Sequence, residues 1–525
     1  MPAHEVGGCR GAFGIFRKTM GINQLIRRKN LDRLRADAES SSAVPLKRSL
    51  GAWDLTSLGI GAVIGAGIFA VIGTAAAGGS SHHGAGPAVS LSFVITAVAC
   101  AFCAFCYAEF ASIVPIAGSA YTYSYATLGE MIAWIVGWDL ILEYGIGNVA
   151  VAIGWSAYCN QLLHGLGVHV PPWLAVDWRS AHQAAQAALS SGGTVPSGMA
   201  IALEAWKTAP VIGGFHVIFN LLAAGVVAFV TWILIIGIKE SARFNNVMVA
   251  LKLAILVFFI VVGAMYVKPS NWSPFMPNGF TGVWIGASLI FFAFIGFDAV
   301  STAAEECRNP GRDMPIGIIA SLGICTVIYV ATAAVLTGIE PWQKLGVANP
   351  LASAFSSIGL DWAAGIVSLG AVISMTAVLL VFQLGQPRIF FAMSRDGLLP
   401  KYFARVHPRY QTPHVTTIWS GVAVGSIAGV TNINEMVELT NIGTLFAFVL
   451  VCAGVIILRR TDPGRPRSFR TPFVPVVPLL GIAMCLYLML GLPWATWLRF
   501  GLWLAAGLAV YFAYGYWHSL LKKSG

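Results

Sequence analysis

The chain has 525 residues, of which 57% are hydrophobic and only 10% charged, and its mean hydropathy is +0.75. A soluble domain is about a quarter charged, so this composition excludes an ordinary cytosolic enzyme, a nucleic-acid-binding protein and a disordered chain. The net charge is +10, and the 9 cysteines fall mostly inside apolar blocks, which argues against a secreted disulfide framework.

The first 50 residues are polar and basic and read as a cytoplasmic segment without a cleavable signal peptide. Within them Phe13, Ile15, Phe16, Ile22, Leu25 and Ile26 alternate with Arg17, Lys18, Arg27, Arg28 and Lys29. Two readings fit: a basic amphipathic helix on the cytoplasmic leaflet, or a solvated tail. Whether this segment recruits a small accessory membrane subunit stays open.

Apolar blocks of membrane-spanning length follow. Helix 1 is predicted at about 53–77, helix 2 at 87–114 and helix 3 at 130–163, with a polar outer stretch over 164–214. Helices 4 to 8 follow at about 215–237, 243–267, 282–306, 314–338 and 362–391. Helices 9 to 12 are placed at about 414–430, 436–458, 474–491 and 495–519. Twelve spans put both termini on one side. That side then carries 26 of the 32 Lys and Arg residues, the other side five, and Lys252 lies inside helix 5. The asymmetry is the one expected of a cytoplasmic face, so the protein is placed in the cell (plasma or inner) membrane with both ends cytoplasmic.

Two spans carry signs of a broken helix. Helix 1 reads GIGAVIGAGIF, with Gly59, Gly61, Gly65 and Gly67 close together; helix 6 reads FFAFIGFDAV, with Gly296 shortly before Asp298. Glycines in membrane helices also serve close packing. A pair of interrupted spans five apart, however, marks a transporter binding site. Free N–H groups at a half-helix N-terminus suit a carboxylate and free carbonyls suit an ammonium group, which together describe an amino acid.

Residues 106–144 (CYAEFASIVPIAGSAYTYSYATLGEMIAWIVGWDLILEY), 293–318 (AFIGFDAVSTAAEECRNPGRDMPIGI) and 385–400 (GQPRIFFAMSRDGLLP) resemble the amino acid–polyamine–organocation superfamily, above all its cationic amino acid transporter branch and that branch's bacterial relatives. The resemblance implies an all-α membrane protein with a LeuT-type fold of two inverted five-helix repeats plus two extra helices. The repeats would be 51–267, including the outer loop, and 282–460, preceded by the 1–50 segment and followed by 472–525. It further implies that amides of Ala66 and Gly67, with Val63, Ile64 and Gly65 beside them, hold the substrate carboxylate. Carbonyls around Phe292, Ala293 and Ile295 would hold the amino group, and Phe294 would be an aromatic gate.

Lys252 sits in NNVMVALKLAILVFF. A charge at bilayer depth faces protein or a cavity, or else snorkels to the nearer surface. The resemblance places it where proton-coupled relatives carry a lysine, near carbonyls at Ile64, with Ser374 and Thr376 as candidate hydroxyl partners. A lysine whose surroundings change during the cycle changes how tightly it holds its proton. Glu109, Asp139, Glu143 and Asp298 are further intramembrane acids; Glu109 and Glu143 lie in motifs of the resemblance, which implies gating, Glu109 foremost, or packing contacts, and a purely structural polar pair is the alternative. Glu305, Glu306, Arg308 and Asp313 form either an inner salt-bridge gate or a solvated helix end.

No cofactor and no metal are expected. Cys100, Cys103 and Cys106 lie along one helix among Ala and Phe, and His82 and His83 stand without further ligands. No nucleotide fingerprint occurs, and most of the 10 histidines lie in loops or ends, so no catalytic residue is assigned. The partners expected are an amino acid, a proton and membrane lipids. Aligned on the GQ of helix 8, the resemblance implies that Phe382 faces the pocket, where its ring would favour small neutral amino acids over arginine. The leading reading is proton-coupled symport of small neutral L-amino acids by alternating access. A cationic amino acid transporter, an amino acid or polyamine exchanger and a non-transporting sensor are the alternatives.

Overall fold

The computed structural model describes residues 49–79, 82–113, 119–190, 197–237, 242–410 and 412–523, together with residues 27 and 195. The amphipathic stretch expected between Phe13 and Lys29 lies outside the described residues apart from Arg27. Among the described residues the chain is helical except for a small antiparallel hairpin, β1 (Val211–Ile212) and β2 (Phe215–His216). Backbone in a bilayer must satisfy its own hydrogen bonds, and the apolar blocks do so as helices.

The apolar helices, numbered in chain order, begin with α1 (Ala52–Val63 and Gly67–Ala77), α2 (Gly86–Ile113), α3 (Glu130–Gly165), α4 (Leu221–Ile236), α5 (Ala242–Ala264) and α6 (Gly279–Ser301). The remainder are α7 (Pro310–Ile339), α8 (Asp361–Arg395), α9 (His414–Val430), α10 (Ile433–Thr461), α11 (Val476–Leu490) and α12 (Trp494–His518). Eight are long and apolar enough to cross a membrane, nine when the two halves of α1 count as one, while α4, α9 and α11 are apolar but shorter. The chain is a multi-pass, all-α membrane protein. Exposed apolar side chains on the shorter helices, such as Trp232 on α4, Trp419 on α9 and Leu490 on α11, suit lipid rather than water.

Helices five apart in the chain pack on each other: α1 on α6, α2 on α7, α3 on α8 and α4 on α9. The expected boundaries hold to a few residues, except that α4 begins at Leu221, after β2 and the capping residue Asn220, rather than near 215. The outer stretch 164–214 is more structured than its polarity suggests. Helices Trp178–Ser190 and Ala200–Thr208 pack through Ala181, Ala205 and Ile218, with Trp178 and Trp206 against them. Asp177 accepts from the Ser180 N–H at 2.7 Å in front of the first of these helices, and burial pushes its carboxyl up to about 6.

The arginine-rich connections meet at one end of the bundle, called here the basic end. The Arg308 N–H donates to the Leu50 carbonyl at 3.0 Å, joining the start of α1 to the α6–α7 connection. Glu109, near the end of α2, is buried and accepts from Arg459 Nε and Nη2 at 2.8 and 2.9 Å and from the Thr471 N–H at 2.8 Å. Arg467 Nε lies 3.2 Å from the same carboxylate. Glu109 therefore ties α2 to α10 and to the segment leading into α11. Deeper in, the Cys103 thiol meets those of Cys485 at 3.4 Å and Cys452 at 3.9 Å, linking α2, α11 and α10; all three are free cysteines.

Candidate substrate-binding site

Both suspected interruptions are real breaks. In α1 the first half ends at Val63, Ile64 is extended (φ −75°, ψ 100°), and the second half leaves at 40° to the first. In α6 the helix ends at Ile290 and a 3₁₀ turn covers Phe291–Phe294. Ile295 is then extended, and Gly296 takes φ +121°, which other residues rarely adopt. A further 3₁₀ segment starts at Phe297.

The glycine run in α1 also packs, so both readings of it hold. A Cβ at Gly59 would lie 2.5 Å from Ser321 Oγ on α7, at Gly61 3.0 Å from Val249 on α5, and at Gly65 2.9 Å from Val378 on α8. At Gly67 it would lie 2.2 Å from Ala293 Cα. The four glycines thus let four neighbours approach the break, and the last brings the two interrupted segments into direct backbone contact.

The carbonyls freed where the first half of α1 ends are taken up by side chains. Lys252 Nζ donates to Gly61 O at 2.7 Å and Ile64 O at 3.2 Å, and the Tyr329 hydroxyl donates to Val63 O at 2.9 Å. Lys252 is buried, so its ammonium turns inward to the break and does not snorkel. Neither expected hydroxyl joins it. Thr376 Oγ1 donates to its own helix at Val372 O and accepts from Trp155 Nε1 at 2.9 Å. Ser374 is buried with no hydrogen-bond partner for its Oγ. On the other side of the break, Gly65, Ala66 and Gly67 begin a new helical half, whose first N–H groups have no partner within the helix.

Val63, Ile64, Ala66, Phe292, Ala293, Phe294, Ile295 and Phe382 are all buried. Phe294 ends the 3₁₀ turn at the α6 break and is fully buried. Its ring packs edge-on to Tyr329 (5.5 Å between centroids) and Phe93 (6.1 Å), toward α7 and α2. Phe382 shares a helix face with Val378, one turn away, and its ring stands edge-on to Tyr144 at 5.6 Å and presses on Gly147 of α3. The residue that reaches Gly65 itself is Val378, which the sequence reading missed. Tyr158 was missed as well; its hydroxyl donates to Phe69 O at 2.5 Å. A signal for this face was present: Tyr144, Gly147, Gly154 and Tyr158 recur at helical spacing along α3.

Asp298, the acid nearest the α6 break, accepts from the Gly296 N–H at 3.3 Å, so one of its oxygens serves the break itself. Asp139 is buried with both carboxylate oxygens unpartnered. Among the described residues Glu306, Arg308 and Asp313 form no ion pair. Glu306 and Arg308 are exposed, the Glu306 carbonyl accepts from Leu50 N–H, and the Glu305 side chain lies outside the described residues. Of the two readings, the exposure of Glu306 and Arg308 favours the solvated helix end, tied to the start of α1 by backbone hydrogen bonds.

A family model for amino acid permeases matches residues 50–510. A methylthioribose transporter of Bacillus subtilis (strain 168) is 48% identical over 502 residues, which cover 96% of this chain and all of that one. A branched-chain amino acid permease, BcaP, of the same organism is 48% identical over 487 residues, 93% of this chain and 97% of the relative. A vacuolar cationic amino acid transporter 4 of Arabidopsis thaliana is 37% identical over 454 residues, 85% of this chain and 69% of the relative.

Proposed function

This chain belongs to the amino acid permease family of the amino acid–polyamine–organocation superfamily, a family of transporters and not of enzymes, and we propose that it carries out proton-coupled symport of neutral L-amino acids. The observation that carries the proposal is the Lys252 ammonium seated on the Gly61 and Ile64 carbonyls, on the edge of the α1 break. Opening the break takes those acceptors away from the amine. Its hold on a proton then depends on the conformation, which is what coupling requires. The substrate carboxylate meets the N–H groups of Gly65, Ala66 and Gly67, and the ammonium group meets carbonyls around Phe292, Ala293 and Ile295.

The architecture behind this reading is twelve spans in two inverted repeats, 51–267 and 282–460, with α11 and α12 outside them. The packing of helices five apart supports it. The basic end is cytoplasmic, both termini lie there, and the protein works in the cell membrane. Phe294 acts as a gate by swinging from its place beside Tyr329. Glu109 holds the cytoplasmic ends of α2 and α10 in register during gating, and Ser374 becomes a partner of Lys252 when the break moves.

A neutral substrate is favoured because the Asp298 carboxylate is engaged at the break and the near walls, Val378 and Phe382, are apolar. Phe382 limits length, so alanine, serine and glycine are the leading substrates. The 48% identity to a branched-chain permease supports a second reading, in which valine, leucine and isoleucine are carried. Uptake of labelled L-alanine into proteoliposomes, with and without an inward proton gradient, tests both. Gradient-stimulated uptake blocked by excess serine and not by arginine supports the first reading. Stronger block by leucine than by serine supports the second, block by arginine a cationic transporter, and flux only against preloaded amino acid an exchanger.

A further inference from the structure

At the basic end an open groove of about 820 Å³ lies between the start of α7 and the segment before α11. It is lined by the polar Arg308, Asn309, Arg312 and Ser468 and by the apolar Ile316 and Ile319. Among the described residues neither Arg308 nor Arg312 has an acidic partner, and both are exposed. The wall opposite α7 is fixed: the Ser468 side chain sits where a Cβ on Gly311 would come within 2.4 Å, and Phe469 stacks flat on Phe105 of α2 at 6.5 Å.

From Arg312 an apolar stripe runs up the outside of α7 at helical spacing through Ile316, Ala320, Gly323 and Val327. Ile316 is 41% exposed and Val327 71%, and nothing lies within 4 Å of a Cβ placed on Gly323. A guanidinium pair at the membrane surface, continuous with an open apolar track along a spanning helix, matches one chemical shape: a phosphate head joined to acyl chains. Guanidinium groups take phosphate through paired N–H donors, and basic pockets on the cytoplasmic side of helix bundles bind anionic headgroups.

We propose that this groove binds an anionic glycerophospholipid of the cytoplasmic leaflet, with the phosphate on Arg308 and Arg312 and an acyl chain along Ile316 to Val327. The site lies on the outer face of the bundle, apart from the α1 and α6 breaks, and is independent of the substrate reading.

Native mass spectrometry of the full chain, with phosphatidylglycerol as the probe, tests it. The wild type retains bound phosphatidylglycerol. In R308Q/R312Q the apparent affinity falls about tenfold to thirtyfold, at roughly 1 kcal/mol per arginine near the surface. The control R405Q/R409Q removes the same charge elsewhere at the basic end and retains the lipid. Ala320→Phe keeps both arginines but obstructs the track, and lowers retention as well, so the test survives if the double variant fails to fold. Equal loss in the control pair would overturn the proposal. So would equal retention of phosphatidylcholine, or complete displacement of the lipid by equimolar glycerol 3-phosphate, which would make the groove a soluble-anion site.

Discussion

Gly67 and Ala293 touch through their backbones: a Cβ on Gly67 would lie 2.2 Å from Ala293 Cα and 2.7 Å from its N. Both partners are backbone atoms of interrupted segments, so neither can turn aside as a flexible side chain would. Overpacking of this kind typically costs about 1–3 kcal/mol, and here it falls on the two segments proposed to hold the substrate. Gly67→Ala is expected to lower amino acid uptake at least tenfold while the protein still assembles in the membrane. Gly225→Ala, where nothing lies within 4 Å of the added carbon, is the matched control and leaves uptake unchanged. Uptake rates normalised to protein in the membrane decide it.

Lys252→Met removes the ammonium and keeps much of the side chain's bulk. Gly61 O and Ile64 O then lose their donor in a buried place, at about 1–3 kcal/mol for each unsatisfied group. If Lys252 couples the proton, gradient-driven accumulation disappears, while exchange of labelled for unlabelled amino acid across the same membrane continues. Accumulation that still follows the proton gradient in Lys252→Met removes Lys252 from the coupling step.

Glu109 makes a two-pronged ion pair with Arg459, lies against Arg467 and accepts from Thr471. Removing one partner of a buried ion pair typically costs about 3–5 kcal/mol. Glu109→Ala should therefore lower the thermal midpoint in detergent by several degrees. Glu109→Gln, which keeps the Thr471 hydrogen bond, should lower it less. If Glu109 also serves gating, Glu109→Gln slows transport with little change in the midpoint; equal midpoints for Glu109→Ala and the wild type would contradict the structural clamp.

Much of this was legible in the chain. The long apolar helices and the two breaks are written in long apolar blocks and in Gly65, Gly67 and Gly296, because a bilayer leaves the backbone few options. Lys252 could be singled out because a lone charge in an apolar block must find a partner. What the partners are was less legible. The Ile64 carbonyl implied by the resemblance is one acceptor, but the expected hydroxyls on α8 are not, and the second acceptor is Gly61 O, a backbone group with no side-chain signature. Val378 was not legible for a related reason: which face of a helix meets the break depends on its rotation, and composition does not fix rotation. The outer segment hid its helices because they are too short and too polar to read as spans, although their alanines favour helix and pack under Trp178 and Trp206.

Asp177 makes that outer segment more stable in acid than at neutral pH. Its carboxyl titrates at about 6 in the folded protein, against 3.8 for an ordinary aspartate, because burial disfavours the charge. The folded state therefore binds the proton more tightly than the unfolded one. Stability falls as pH rises from about 4 to about 6 and stays low above that. Hydrogen exchange over Trp178–Ser190 should accordingly be more protected at pH 5 than at pH 7, after correction for intrinsic rates. Asp177→Asn keeps an acceptor for the Ser180 N–H and should abolish this difference.

Phe382 and Val378 lie on one face of α8, and under the proposed function they divide the selectivity between them. Val378 touches the Gly65 position, so shortening it enlarges the space beside the substrate's α-carbon. Phe382 stands a turn further toward the basic end, against Tyr144 and Gly147, so shortening it opens room for the far end of a longer side chain. Phe382→Ala is then expected to make leucine and methionine better competitors of alanine uptake, about tenfold, because one added methylene in an apolar pocket is worth roughly 1–3 kcal/mol. Val378→Ala should weaken alanine binding itself without changing the ranking of longer substrates. Competition series on the two variants separate these outcomes, and an unchanged ranking in Phe382→Ala would mean that its ring only packs against α3.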